Sequence, residues 1–448
     1  MPRKQDFDVI VVGSGPGGAT VTRELTKQRK KVLLLEWGSD EPLKGSLVQA
    51  AKWVGMPGKG TLFTHRGLSM VRGITAGGSS VFYYATAFDP PASMFNRYGI
   101  DVEDEVAEAK AELPIAPLSE DLMGPMAKRL RESAQDLGYD WHKLQKYVYQ
   151  DRCRPNCDKC NLGCPHDAKW NARMYIDEAK EAGATFLPLA KVRNVLVENG
   201  KAVGVRYERF GKSYAVHAPR VVLAAGGIGT PVILRNSGIK QAGYDYFFDP
   251  LICVYGAVPD VKGGKEFPMV AGAHIEDEGY LMTDMTVPRL LYQAFAAQVL
   301  RVDKLLAHGN TLTIMVKARD TLGGRLTDSG GVRKHLAPQD EANLMKGYER
   351  ARGILKNAGA KDVFKSWFVA AHPGGTAKVA DIVDSNLQTE IEDLYVCDCA
   401  VIPEAWGLPP SLALIALGKR LARHLTGQQT DKHLKPGAVA RATAEAAA

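Results

Sequence analysis

The 448-residue chain has no apolar run reaching the roughly 18 residues that a membrane span needs. It also has no long run of lysine or arginine, so a nucleic-acid partner is not expected. The net charge of +7 and pI near 8.9 are mild and leave room for a basic contact face toward an acidic protein. Cysteine is scarce and uneven. Of seven, four fall within residues 153–164 and three are scattered, which does not make a disulfide framework. Only MPRKQD stands before the first strand pattern, and no signal peptide is expected from it. The expectation is a cytoplasmic protein, with export alongside a partner subunit left open. No internal repeat is present.

What the chain does have is an ordinary globular composition, 45% hydrophobic, over a length sufficient for two or three domain-sized units. Its N-terminal stretch, residues 7–40, organises the rest. A buried-strand pattern, Val9-Ile10-Val11-Val12, runs into Gly13-Ser14-Gly15-Pro16-Gly17-Gly18, then a helical run from Ala19 to about Gln28. A second apolar strand over residues 32–35 ends in Glu36. In this G-x-G-x-x-G pattern Gly13 permits the tight turn, Gly15 lets a pyrophosphate approach the backbone, and Gly18 lets helix pack on strand. The phosphate then sits at the helix N-terminus. Glu36, 18 residues past Gly18, can accept hydrogen bonds from ribose hydroxyls and disfavours a 2′-phosphate.

Downstream, residues 42–73 read as turn-rich and irregular. They lead to Arg72-Gly73-x-x-x-Gly77-Gly78-Ser79-Ser80, either a second close approach of backbone to a flat ligand or a plain hairpin turn. Helical patterns follow at 102–112, 122–137 and 171–182. Alternating strands follow at 192–197, 202–207 and 214–218, with Asn199-Gly200 and Gly211-Lys212 as turns. Residues 221–227 are a buried strand running into glycines, and Thr230-Pro231 starts a helix. Strand-like runs at 251–258 and 311–317 flank the amphipathic run 290–306. That run reads first as core helix and second as an apolar entrance or membrane face. A helix at 338–358 and a strand, loop and helix over 394–424 complete the pattern. The tail from 433 to 448 reads as mobile.

Four separated stretches then line up. They are the N-terminal loop ending LLLEWG; the Arg72–Ser80 motif; Gly226-Gly227-Ile228-Gly229-Thr230-Pro231 with its continuation to Ile239; and His372-Pro373-Gly374-Gly375-Thr376 with Val396-Cys397-Asp398 and Pro409-Pro410-Ser411-Leu412. In order and spacing the chain resembles the glucose–methanol–choline (GMC) oxidoreductases. The resemblance implies an α/β protein, α+β overall. A Rossmann-like FAD-binding domain would come from residues 1–88, 184–246 and 386–432. An insert, 89–183, would carry the cysteines, and a sheet-based substrate domain would span 247–385. It implies FAD held by Gly13, Gly15, Pro16, Gly17, Gly18, Glu36, Arg72, Gly77, Gly78, Ser79, Val192, Ala225, Gly226, Asp398 and Pro410. It implies His372 as the group that takes the proton of a small alcohol or hydrophobic substrate while hydride leaves for flavin N5. Histidine suits that task because its pKa lies near neutrality; the bland reading is a structural histidine before a turn. The family's usual second histidine or asparagine is missing, since the matching position is Pro409, or Leu408, so either His372 acts alone, or another residue substitutes, or the chemistry differs.

Cys153, Cys157, Cys160 and Cys164, spaced C-x3-C-x2-C-x3-C and followed by Pro165, could wrap one soft-metal centre. A [4Fe–4S] cluster is the first reading, with [3Fe–4S], zinc, disulfides or free thiols as alternatives. Some members of the family carry such a centre here. A cluster would imply an electron-accepting protein or quinone partner. Cys253, Cys397 and Cys399 read as small core residues. Two competing functions stay open: a flavin-dependent reductase or isomerase of a hydrophobic C=C or C=O substrate, and an electron-transfer subunit without its own turnover.

Overall fold

The computed structural model describes residues 6–64 and 66–428; the tail expected at 433–448 lies outside them. Two sheets dominate an α/β architecture. The first is parallel and five-stranded, in the order Leu394–Val396, Val221–Leu223, Val9–Val12, Val32–Leu35 and Thr185–Leu187. Its central strand is apolar and buried at all four positions, with the helix Pro16–Lys27 packed against it. The helix Pro16–Lys27 packs against Ser411–Leu425 and Arg173–Glu181. An antiparallel three-stranded sheet, Lys191–Glu198, Lys201–Arg209 and Lys212–His217, stands beside it, joined by the two predicted turns.

The second sheet has nine strands. Its centre is Pro250–Ala257 paired antiparallel to Thr311–Ala318, with Tyr280–Asp284 and Ala271–Ile275 beyond. The helix Pro338–Asn357 covers Thr311–Ala318 and Pro250–Ala257. Thr311–Ala318 is buried along its whole length, one lysine included.

Three expectations change. Residues 42–73 are not structureless: Leu47–Ala50 and Ala51–Gly55 are short helical turns, and Thr61–Phe63 pairs with Ser69–Val71. That hairpin joins the nine-stranded sheet through Val369–Ala370, so it leaves the first domain to which the sequence division assigned it. The run 290–306 is not a core helix. Arg289–Gln298 lies on the surface, burying only Tyr292 and Ala296, while Leu290, Leu300, Val302 and Leu306 are exposed. The helix expected to begin at Thr230 begins at Gly226, whose positive φ of 80° turns the chain into it.

Candidate active site

The N-terminal glycine loop is held by close packing. A Cβ on Gly13 would lie 2.2 Å from Ala224 O, one on Gly17 2.1 Å from Cys397 O, and one on Gly18 2.0 Å from Gly13 O. Gly15 differs: a Cβ there would meet no protein atom within 4 Å. Three glycines therefore serve the helix–strand junction, and one leaves an open approach to the backbone. Pro16 opens the helix, where its missing N–H costs nothing.

Glu36 is buried and takes three protein donors. Ser14 N–H and Oγ–H reach Oε2 at 3.1 and 2.6 Å, and Gly38 N–H reaches Oε1 at 2.6 Å. Burial raises its pKa and these bonds oppose the rise. A carboxylate has about four acceptor sites, so capacity remains for a ribose hydroxyl. Ser14 Oγ also accepts from Gly77 N–H at 3.1 Å, which ties the second glycine loop to the first. Gly77 and Gly78 both have positive φ, and Gly78 sits against Gly15. The second loop is thus a short helical turn and not a plain hairpin. Ser79 Oγ accepts from Gly73 N–H. Arg72 donates to Lys59 O and stands 5.5 Å from the Trp37 ring; burial pushes its pKa down to about 10. Among the described residues it has no carboxylate within ion-pair distance, an arrangement that suits an anionic ligand group. Val192 is buried at the start of its strand, beside Lys191, whose ammonium lies over the same Trp37 ring.

Asp398 is the joint between segments. Its Oδ2 accepts from Gly226 N–H at 2.8 Å and Thr230 Oγ–H at 2.5 Å, and its Oδ1 accepts from Ala400 N–H. Ala225 precedes the helix it caps, and Pro410 precedes the buried helix Ser411–Leu425. Gly226 again has open space where a Cβ would be, whereas a Cβ on Gly227 would lie 1.9 Å from Pro373 O. This contact seats the His372 motif directly on the helix Gly226–Asn236.

His372 is not alone. Its Nδ1 lies 2.9 Å from Lys317 Nζ and 3.2 Å from Asp249 Oδ2, and Lys317 Nζ lies 3.0 Å from the same Oδ2. The Lys317 and Asp249 side chains are 2% and 1% exposed, and that of His372 is 27% exposed, so one edge of the imidazole stays accessible. Burial and the neighbouring Lys317 push the His372 pKa below its ordinary value, with Asp249 opposing them. Asp249 Oδ1 accepts from Gly407 N–H, next to the Leu408-Pro409 step that lacks the second base. Asp320, paired with Lys334, accepts from Phe248 and Asp249 N–H and fixes that turn. Sequence reading missed Asp249 and Lys317. One signal was available: a lysine inside TLTIMVKA, otherwise a fully buried strand.

The four clustered cysteines line one cleft, together with Lys159, His166 and Lys169. All four are free thiols. Among the described residues no group of three or more His, Cys, Asp or Glu side chains is placed to hold a metal ion, so the geometry lends no support to the iron–sulfur cluster read first or to zinc. Burial pushes the Cys153 and Cys160 thiols up to about 11 and about 12. The fully buried Lys169 ammonium donates to Cys160 O at 2.6 Å and to Val81 O and Tyr83 O at 2.8 Å. It clamps the cysteine insert to the chain just past the second glycine loop. Cys253 and Cys397 are buried, as expected of core residues, and Cys399 is half-buried.

Comparison with known proteins agrees with this geometry. Two family models, both described as GMC oxidoreductase, match residues 7–252 and 331–418, and the chain belongs to that family. It is therefore an FAD-dependent oxidoreductase of the kind that oxidises CH–OH groups. An uncharacterized protein of Methanocaldococcus jannaschii is 27% identical over 94% of this chain and 100% of its own length. A long-chain-alcohol oxidase of Arabidopsis thaliana is 23% identical over 94% of this chain and 68% of its own. Among solved structures, pyridoxine 4-oxidase from Mesorbium loti superposes with a TM-score of 0.73 at 16% identity, covering 95% of this chain and 100% of that one. A formate oxidase variant of Aspergillus oryzae gives 0.70 at 15%, covering 94% and 98%. Among the described residues no helix is long and apolar enough to cross a membrane.

Proposed function

We propose that this protein is a cytoplasmic alcohol dehydrogenase in which His372 takes the hydroxyl proton and electrons leave through a cysteine-bound iron–sulfur cluster to a partner protein or quinone. The observation that carries the first part is His372 itself: partly open on one edge, backed by a buried carboxylate and lysine, and packed by Pro373 onto the helix Gly226–Asn236. FAD would be held by the loops around Gly15 and Gly78, by Glu36 and Arg72, and by the helix end at Gly226. When bound it supplies the hydride acceptor. The protein's own part is to orient the alcohol, exclude water and take the proton. Asp249 and Lys317 back His372 through Nδ1, which supports a proton-accepting role for it without a second base at Leu408 or Pro409. The name of the Arabidopsis relative favours an apolar alcohol.

Cys153, Cys157, Cys160 and Cys164 would hold the cluster. What supports this reading is the C-x3-C-x2-C-x3-C spacing and the one cleft that all four line; the thiols would have to draw together around the cluster, since no three of them stand as a ligand set without it. A bound cluster would supply one-electron transfer.

Anaerobic flavin reduction across sugar, aromatic, terpenoid, steroid and long-chain alcohols tests the reaction. His372→Ala should slow it by about 10²–10⁴-fold with FAD still bound. Near-wild-type reduction in that variant refutes the role of His372. Iron and acid-labile sulfide in anaerobically purified protein test the cluster; absence of both removes it and leaves the alcohol chemistry standing.

A further inference from the structure

The atoms Lys317 Nζ, Asp249 Oδ2 and His372 Nδ1 form a closed triangle with sides of 2.9, 3.0 and 3.2 Å. Counting protons on its edges gives two arrangements. When Lys317 is an ammonium, it donates to both Asp249 and Nδ1. The neutral imidazole then carries its hydrogen on Nε2, and the His372–Asp249 edge is empty. When Lys317 is a neutral amine, Nδ1–H points at Asp249 and at the amine lone pair, and Nε2 is bare and basic. The two arrangements differ by one proton. Resting on the reading of His372 as the group that meets the alcohol, we propose that Lys317 stores the substrate's proton, with His372 as the shuttle.

The step balances. The alcohol O–H breaks and its proton joins His372 Nε2. The proton on Nδ1 passes to the Lys317 lone pair. The C–H electron pair leaves as hydride to the family's flavin, and a carbonyl remains. Lys317 touches no substrate and acts through His372. Its place makes the neutral form accessible, because it sits in a strand buried on both faces, between Leu251 and Leu281 in register. Burial lowers its pKa, and Asp249 opposes that. The other titratable groups facing the triangle are Asp320, held by Lys334, the Cys399 thiol, which burial pushes up, and His274 with Arg319.

Nitrogen NMR of histidine-labelled, FAD-loaded protein without substrate reads the tautomer directly, with the His372 signal assigned by its loss in His372→Ala. The expected result is an Nε2–H imidazole at pH 6 that converts to Nδ1–H as pH rises. The midpoint should lie below the ordinary lysine value, because burial disfavours the ammonium. In Lys317→Met the Nδ1–H form should hold throughout. Flavin reduction should fall about tenfold per pH unit below that midpoint, and Lys317→Met should move the inflection down by more than about one unit. An Nε2–H tautomer that persists in the wild type to about pH 10 overturns the proposal, as does an inflection that Lys317→Met leaves in place. The wild-type titration decides even if Lys317→Met does not fold. Failure of the alcohol chemistry itself would show instead as reduction indifferent to His372→Ala, whatever the tautomer does.

Discussion

At residues 13–18 the working atoms are backbone groups from one unbroken stretch. Around His372 they are three side chains drawn from positions 249, 317 and 372. The first arrangement depends on what glycine lacks: Cβ atoms at Gly13, Gly17 and Gly18 would collide with neighbouring backbone oxygens. The second depends on charges carried into the interior by strand register, with Lys317 opposite Leu251, two residues past Asp249. A backbone site tolerates side-chain change nearby but no added atoms. A buried charge site tolerates neither loss of a partner nor misregister.

The largest effect should come from Asp249→Asn, which leaves Lys317 buried beside a neutral amide. Breaking a buried pair from one side costs about 3–5 kcal/mol, measurable by denaturant unfolding. The pH dependence has a definite sign. Burial pushes the Asp249 pKa up, but Lys317 and His372 more than offset it, so the folded value lies below the ordinary one. The contribution is therefore fully present above the unfolded pKa, about 3.9, and is lost as pH falls through the folded value. The gap between wild type and Asp249→Asn should stay level from pH 7 down to pH 5 and close below about pH 4. A gap that persists in acid would mean Asp249 acts by packing and not by charge.

Next is a pair of alanines in the first loop. Gly17→Ala places a Cβ 2.1 Å from Cys397 O and should destabilise the cofactor-free protein by about 3 kcal/mol. Gly15→Ala meets no protein atom and should leave the melting temperature of the cofactor-free protein unchanged while weakening FAD binding. Equal losses of stability in both would erase the distinction between packing glycines and the ligand-facing one.

This contrast also explains what could be read in advance. The glycine loop, its flanking strands and Glu36 lie within 30 residues, and the parallel sheet followed from them and from the apolar run at 221–223. His372 was singled out by its motif, and its partners were not. The role of Asp249 and Lys317 exists only once two antiparallel strands find their register, and no local pattern encodes that. The run 290–306 misled for a related reason. Helical periodicity shows that one face is apolar but not whether anything covers it, and here little does. The cysteine spacing led to a metal centre; the four thiols do line one cleft, but among the described residues they are not gathered into a ligand set, because spacing along a chain does not fix which way side chains turn.

The smallest of these effects tests the seam between the two regions. Pro231 lies inside the helix Gly226–Asn236 and has no N–H, so the carbonyl four residues earlier, Gly227 O, loses its helical donor. Thr376, last residue of the His372 motif, supplies the replacement: its Oγ–H donates to Gly227 O at 2.8 Å, and the side chain is buried. The proline that breaks the ladder of this helix thus leaves an acceptor that the His372 motif satisfies through Thr376. Thr376→Val keeps the shape and removes the donor, leaving a buried carbonyl unpaired at about 1–3 kcal/mol. If the seam also positions His372 through Pro373, which touches Gly227, the variant should lower the rate of flavin reduction while the FAD spectrum and affinity stay near wild type. Pro231→Ala in the Thr376→Val background restores an N–H for Gly227 O, and stability should recover with it. Recovery of stability without recovery of rate would show that Thr376 places the histidine independently of the hydrogen bond it makes. No recovery at all would mean that the missing N–H was never what Thr376 compensates.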